Sequence, residues 1–214
     1  MLANIYKRIL SAIFIIPISY IIILKGSFLF ILFLMTLLII SLYEWNKMNN
    51  SLFIKIFGFV IIFFSFYAAY KIREFNGEEN FSNFIVIITS CISTDVGGYF
   101  FGKLLKGPKL SSISPNKTYA GFFGGIFCAL FFSYLIITTN FIEDTSIEFN
   151  LSFIFYVILI SLISQGGDLI ISYFKRKSNI KDTGNIIPGH GGILDRIDGM
   201  IFVFPIIYIL KYLH

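Results

Sequence analysis

Long apolar runs broken by short polar segments set the layout of this chain. Seven such runs occupy residues 9–24, 28–43, 53–70, 81–101, 119–139, 151–174 and 197–213. Each approaches the roughly 20 apolar residues that a helix needs to cross a bilayer. Lipid cannot satisfy backbone N–H and C=O groups, so spans of this length must be helical. The pattern predicts an all-α, polytopic integral membrane protein of about seven transmembrane helices. The first two runs are joined by Lys25-Gly26-Ser27, read as a tight hairpin. Lys7-Arg8 ahead of the first run resembles the start of a signal peptide. No small-x-small cleavage site closes that run and more spans follow, so it reads as a retained first helix.

Composition agrees with the pattern. The 214 residues are 57% hydrophobic and 14% charged, against about 25% charged in soluble domains. Mean hydropathy is +0.83. Seven helices place the termini on opposite sides, and Lys/Arg residues choose the sides. With the N-terminus inside, the cytoplasmic face receives Lys7, Arg8, Lys47, Lys55, Lys103, Lys106, Lys109, Lys117, Lys175, Arg176, Lys177, Lys181 and Arg196. Only Lys25, Lys71, Arg73 and Lys211 fall outside, which predicts N-in/C-out. Glu44, Asp95, Asp168, Asp182, Asp195 and Asp198 lie on or near the inner face, and the other six acids in outer loops. The net charge of +5 is then a cytoplasmic feature. It suits topology alone, anionic headgroups or a polyanionic substrate. The basic residues sit in membrane loops without a nucleic-acid motif, so no nucleic-acid partner is expected. Cys91 and Cys128 fall inside spans without disulfide or metal-ligand spacing.

The acids are where chemistry can sit. Asp95 lies in STDVGGYFFG near the inner end of the fourth run, and Asp168 in SQGGDLIIS of the sixth. Asp168 should lie roughly 10 Å below the inner end of its helix at 1.5 Å rise per residue. An ionisable group at such depth suggests a site; the blander reading is a buried Asp bonded to a neighbouring helix. Asp195 and Asp198, three apart at the start of the last run, share a face if that segment is helical. Asp residues also suit a helix N-terminus through the dipole, which explains one acid better than a pair around Arg196. With Asp168 they offer hard oxygen ligands, which suit Mg²⁺ rather than zinc.

Two loops supply the complement. Pro188-Gly189-His190-Gly191-Gly192 leaves backbone N–H groups exposed and can form an anion-binding nest. The basic segment 103–125 carries Lys117 and Thr118 after Ser114-Pro115, placed to hold phosphate oxygens. A positive-inside loop ahead of a Gly-rich helix start is its plainer reading. Acids for a divalent cation, with cations and amides for phosphate, imply phosphoryl-group chemistry at the cytoplasmic face.

Residues 172–198 closely resemble the signature of the bacterial CDP-diglyceride synthetase (phosphatidate cytidylyltransferase) family. The resemblance rests on Ser172, Lys175-Arg176, Lys181-Asp182, Gly184, Pro188, His190-Gly191-Gly192 and Asp195-Arg196-x-Asp198. Gly167-Asp168-Leu169, the Ser114-Pro115-Asn116-Lys117-Thr118 loop, and Asp95 with Gly97, Tyr99 and Gly102 extend it. It is strong over about 90–200 and indistinct over 1–80. Asn116 departs from a usual Lys, and Gly199 from a common Ser. The chain is also shorter than typical members, with the shortfall expected among N-terminal helices.

The resemblance implies CTP and phosphatidic acid as substrates, giving CDP-diacylglycerol and pyrophosphate. It implies that Asp168, Asp195 and Asp198 are catalytic and hold Mg²⁺, with room for a monovalent cation such as K⁺. Ser114, Lys117, Thr118, Lys175, Arg176, Lys181, His190 and Arg196 become phosphate or nucleotide contacts, with Asp95, Ser172 and Asp182 in support. It also implies a homodimer among membrane lipids, in the bacterial inner (cytoplasmic) membrane, with phosphatidic acid drawn from the inner leaflet. Residues 1–80 are expected to be N-terminal transmembrane helices, and 81–214 the catalytic transmembrane region with a cytoplasmic-side site. Two rivals fit less well. A CDP-alcohol phosphatidyltransferase needs Ala-Arg after an Asp-x-x-Asp-Gly start, and none follows Gly199. A cation-coupled transporter predicts repeat-related broken helices, and the sequence carries no internal repeat.

Overall fold

The computed structural model describes residues 17–48, 51–74, 78–111, 114, 116–139, 147–186 and 191–212. Every regular element among them is a helix. Helix α1 runs over residues 17–25. It is followed by α2 (Ser27–Met48), α3 (Leu52–Glu74), α4 (Glu78–Leu105), α5 (Tyr119–Thr138), α6 (Leu151–Lys177), α7 (Leu194–Ile197) and α8 (Met200–Tyr212). Five of them, α2 to α6, are long and apolar enough to cross a membrane. The expected α1–α2 hairpin loop is reduced to a sharp break at Gly26 and Ser27, whose φ angles are 61° and 51°. Such left-handed values suit glycine and are unusual for serine.

Local sequence explains several helix ends. Thr118 caps α5, its Oγ1 accepting from Gly121 N at 3.1 Å. Asn150 does the same for α6, its Oδ1 accepting from Phe153 N at 2.9 Å. Short polar side chains at these positions satisfy amides that have no partner within the helix.

The last apolar run departs from expectation. It is not one helix over 197–213 but the single turn α7, a turn at Asp198–Gly199, and the 13-residue α8. At 1.5 Å per residue α8 is only about 20 Å long, short of the roughly 30 Å hydrocarbon core. The break has a local cause. Asp198 Oδ1 accepts from Gly199 N at 2.9 Å, which diverts that amide from the helical ladder. The ladder restarts with Phe202 N and Val203 N donating to Gly199 O. Asp195 and Asp198 therefore do not share one continuous helix face.

The chain divides into two compact units, residues 1–66 with 174–197, and residues 67–173 with 198–214. The sequence-based boundary at residue 80 concerns function, and the compact units do not follow it. In the first unit Trp45 of α2 is buried, and its Nε1 donates to Ile54 O at 3.1 Å. Its ring meets Phe174 edge-on, with centroids 5.2 Å apart. A Cβ on Gly58 would fall 1.8 Å from the Trp45 ring, so glycine makes the seat for the indole. In the second unit α4 and α5 approach backbone to backbone. A Cβ on Gly97 would lie 2.6 Å from Gly124 O, and one on Gly121 would lie 2.6 Å from Gly98 O. Small residues allow this closeness where lipid gives no hydrophobic drive to pair helices. Buried hydroxyls add to this, Ser90 of α4 meeting Ser133 of α5 at 2.9 Å, and Thr94 of α4 donating to Ser161 of α6 at 2.9 Å.

Candidate active site

The acids expected to do chemistry fall into two clusters, one in each unit. In the larger unit α6 carries Asp168 nine residues before its end at Lys177. Lys117, which enters α5 from the preceding loop, places Nζ 2.5 Å from Asp168 Oδ2. Both side chains are about a quarter exposed, at 24% and 26%. Lys117 Nζ also reaches Gln165 O at 3.5 Å, and Ser172 Oγ donates to Asp168 Oδ1 at 3.2 Å. The loop presenting Lys117 is closed by Leu110 N donating to Lys117 O, Lys117 N to Ser114 O and Tyr119 N to Pro108 O. Thr118 Oγ1 accepts the capping bond, which leaves its own O–H to donate.

Asp198 belongs to the same unit and is 7% exposed. Its segment packs on α6 immediately beside Asp168. A Cβ on Gly167 would lie 3.2 Å from both Asp198 O and Gly199 O, and 2.7 Å from the Phe202 ring. A Cβ on Gly199 would lie 2.3 Å from Ser164 Oγ and 2.9 Å from Ser164 O. Two glycines thus let the strand of chain bearing Asp198 touch the turn of α6 bearing Asp168. The same contact accounts for Gly199 where the resemblance leads one to expect Ser.

In the smaller unit the signature segment folds around two carboxylates. Asp195 Oδ1 takes Lys175 Nζ at 2.9 Å, with side chains 6% and 11% exposed. Asp195 Oδ2 accepts from Thr183 N at 2.8 Å and Gly192 N at 3.0 Å. The second carboxylate is Glu44 of α2, 1% exposed. It accepts from Thr183 Oγ1 at 3.1 Å, Ile193 N at 3.1 Å and Leu194 N at 2.8 Å. Gly191 takes φ +87°, and a Cβ there would also lie 2.9 Å from Asp195 Oδ2.

The remaining expected residues are scattered. Arg176 donates to Ile180 O at 3.4 Å. Lys181, Asp182 and Arg196 are exposed, as is Asp95 on α4. Ser114 is half-buried. His190, with Pro188 and Gly189, lies outside the described residues. Glu44 and Thr183 had no assigned role in the sequence reading. The available signal was an acid closing an apolar run, since a carboxylate there needs partners of its own.

The donor chemistry fits a hard divalent cation. Asp168 and Asp195 each already take an ammonium group, from Lys117 and Lys175, which would have to turn away, towards substrate phosphate for example, for a metal ion to bind there. Mg²⁺ takes one or two carboxylates and completes its shell with water and substrate phosphate. Among the described residues no group of three or more His, Cys, Asp or Glu is gathered around one point, so they form no all-protein metal cage. The carboxylates are of the type that Mg²⁺ uses together with a phosphate ligand.

Comparison with known proteins gives a single direction. Residues 51–214 match the model of a family described as the Cytidylyltransferase family. Over 99% of its length the chain is 38% identical to 93% of a phosphatidate cytidylyltransferase from Rickettsia bellii (strain RML369-C). It is 36% identical, over 98% of the chain and 93% of the relative, to the protein of that name from Rickettsia felis (strain ATCC VR-1525 / URRWXCal2). A phosphatidate cytidylyltransferase from Staphylococcus aureus (strain COL) is 47% identical over 119 residues, which are 55% of this chain and 44% of that protein.

Proposed function

The chain belongs to the cytidylyltransferase family, and from that premise we propose that it transfers the cytidylyl group of CTP to phosphatidic acid. A phosphate oxygen of phosphatidic acid attacks the α-phosphorus of CTP. The bond between the α- and β-phosphates breaks, and pyrophosphate leaves with the electron pair. The lipid product is CDP-diacylglycerol. The nucleophile is already anionic, so the chain needs to supply position and positive charge more than a strong base.

Asp168 and Asp198 in one unit and Asp195 in the other are the carboxylates that would offer oxygens to Mg²⁺, with a monovalent cation such as K⁺ as companion. When bound, Mg²⁺ neutralises charge on the triphosphate and on the leaving pyrophosphate. Lys117, Thr118 and Ser114 contact phosphate from one loop, and Lys175, Arg176, Lys181, His190 and Arg196 from the signature segment. Lys117 is held at Asp168, where its ammonium can turn to a phosphate oxygen. Ser172 orients Asp168 through its hydroxyl, and Asp95 and Asp182 are supporting acids.

The finer topology belongs to the same reading. The chain crosses the inner membrane of a bacterial cell about seven times, five of them by α2 to α6 and the last by the broken segment 194–212 in place of one full-length helix, N-in/C-out, with the site facing the cytoplasm. CTP arrives from that side and phosphatidic acid from the inner leaflet, and the working form is a homodimer.

The observation that carries the proposal is the family match over 51–214. That span contains both the Lys117–Asp168 and the Lys175–Asp195 pairs. Membranes containing the protein should convert labelled CTP and phosphatidic acid to CDP-diacylglycerol, and chelation of Mg²⁺ should stop the conversion. Folded protein that yields no CDP-lipid across varied lipid and cation conditions would overturn the proposal.

A further inference from the structure

We infer that Glu44, on α2, is a positioning residue that sets the shape of the segment carrying Asp195. The inference rests on the proposed function for its consequence in catalysis. Its geometry stands by itself. A carboxylate that is 1% exposed survives burial only when its lone pairs are well satisfied. Glu44 is not paired with Lys or Arg among the described residues. Its three donors come instead from one stretch of the signature, Thr183 Oγ1, Ile193 N and Leu194 N. Hydrogen bonds to an ionised acceptor are roughly twice as strong as neutral ones.

The same stretch is what grips Asp195. Thr183 gives its amide to Asp195 and its hydroxyl to Glu44. Of three consecutive amides, Gly192 N goes to Asp195, while Ile193 N and Leu194 N go to Glu44. The two carboxylates therefore hold opposite sides of one fold of chain, and neither can move without disturbing the other's donors. The fit leaves no slack. A Cβ on Gly184 would lie 2.6 Å from Glu44 Oε1, and one on Gly192 would lie 2.5 Å from Glu44 Oε2. Glu44 acts through this segment and not by touching substrate.

Glu44→Gln keeps the shape but turns one oxygen into a donor. Whichever way the amide is placed, at least one backbone N–H then faces another N–H. The test compares wild type, Glu44→Gln, Thr183→Val and Thr183→Ser as full-length protein in membranes. The first readout needs no activity: the rate of tryptic cleavage after the exposed Lys181. The second is the Mg²⁺ concentration giving half-maximal turnover, measured beside kcat and the KM for CTP.

With one buried amide orphaned, Glu44→Gln should be cleaved about tenfold faster. Its half-saturating Mg²⁺ should rise by a similar factor. Thr183→Val should move both readouts the same way by a smaller factor, and Thr183→Ser should restore them. A residue that serves only to build the fold would lower the amount of active protein and leave cleavage and Mg²⁺ dependence of the remainder unchanged. That outcome overturns the inference. If Glu44→Gln is absent from membranes, Thr183→Val decides by the same two readouts. Silent wild-type protein would strike the proposed function, and the cleavage rates alone would then decide whether Glu44 holds the segment.

Discussion

Removing the charge of Asp195 should destabilise the protein more than removing Asp195 and its cation together. In Asp195→Asn the amide oxygen can face Thr183 N and Gly192 N, which places the NH₂ against Lys175 Nζ. Alternatively it can face Lys175, which sets the NH₂ against two N–H groups. Either way a group that was paired is stranded, and the side chains of Asp195 and Lys175 are only 6% and 11% exposed. Breaking a buried ion pair from one side costs about 3–5 kcal/mol. The flexible Lys stem can carry its ammonium towards water, so the lower figure, about 3 kcal/mol, applies. For a chain of this size each kcal/mol lowers Tm by roughly 2–4 °C, giving a fall of about 6–12 °C. Lys175→Met with Asp195→Asn leaves no stranded charge and should recover at least half of that loss. Trp45 is the sole tryptophan and packs against Phe174 in the same unit, so its fluorescence in detergent-solubilised protein reports the transition. Both variants should lack transferase activity, which separates the role of the pair in the fold from that of Asp195 in catalysis. Melting of Asp195→Asn within 2 °C of wild type (about 1 kcal/mol or less) would refute the reasoning. So would a double variant no more stable than the single one.

Two further predictions address the larger unit. Gly167→Ala should cost about 1–3 kcal/mol by overpacking and cut turnover, because its Cβ meets the Phe202 ring and Asp198 O. Gly166→Ala has open space within 4 Å and should do neither; equal thermal stability and activity of the two variants would contradict the close approach. Lys117→Met should raise the KM for CTP about tenfold or more, with Lys117→Arg retaining part of the affinity. Unchanged steady-state constants in Lys117→Met would remove Lys117 from phosphate binding.

The long apolar runs at 28–43, 53–70, 81–101, 119–139 and 151–174 read directly as helices α2 to α6. Their apolar length is the signal, and it does not depend on distant contacts. Thr118 before Tyr119 likewise gives the α5 cap locally, although the sequence reading assigned it only to phosphate. The break at Asp198–Gly199 was not legible. It depends on a side chain claiming the next amide inside a run that hydropathy treats as uniform. Asp168 and Lys117 were each singled out, but their pairing across 51 positions of sequence is a tertiary fact. Glu44 was missed for a similar reason. Counting apolar residues treats it as the flank of a span, whereas its donors lie near residues 183 and 194.

The central claim is that the nucleotidyl group, and not the terminal phosphate, passes to the lipid. The most direct measurement supplies phosphatidic acid and Mg²⁺ with CTP labelled with radioactive phosphorus at either the α- or the γ-position. The α-label should appear in the lipid fraction as CDP-diacylglycerol and the γ-label in pyrophosphate, in equal amounts. Label from the γ-position in the lipid, or none in the lipid from either position with folded protein, would contradict it.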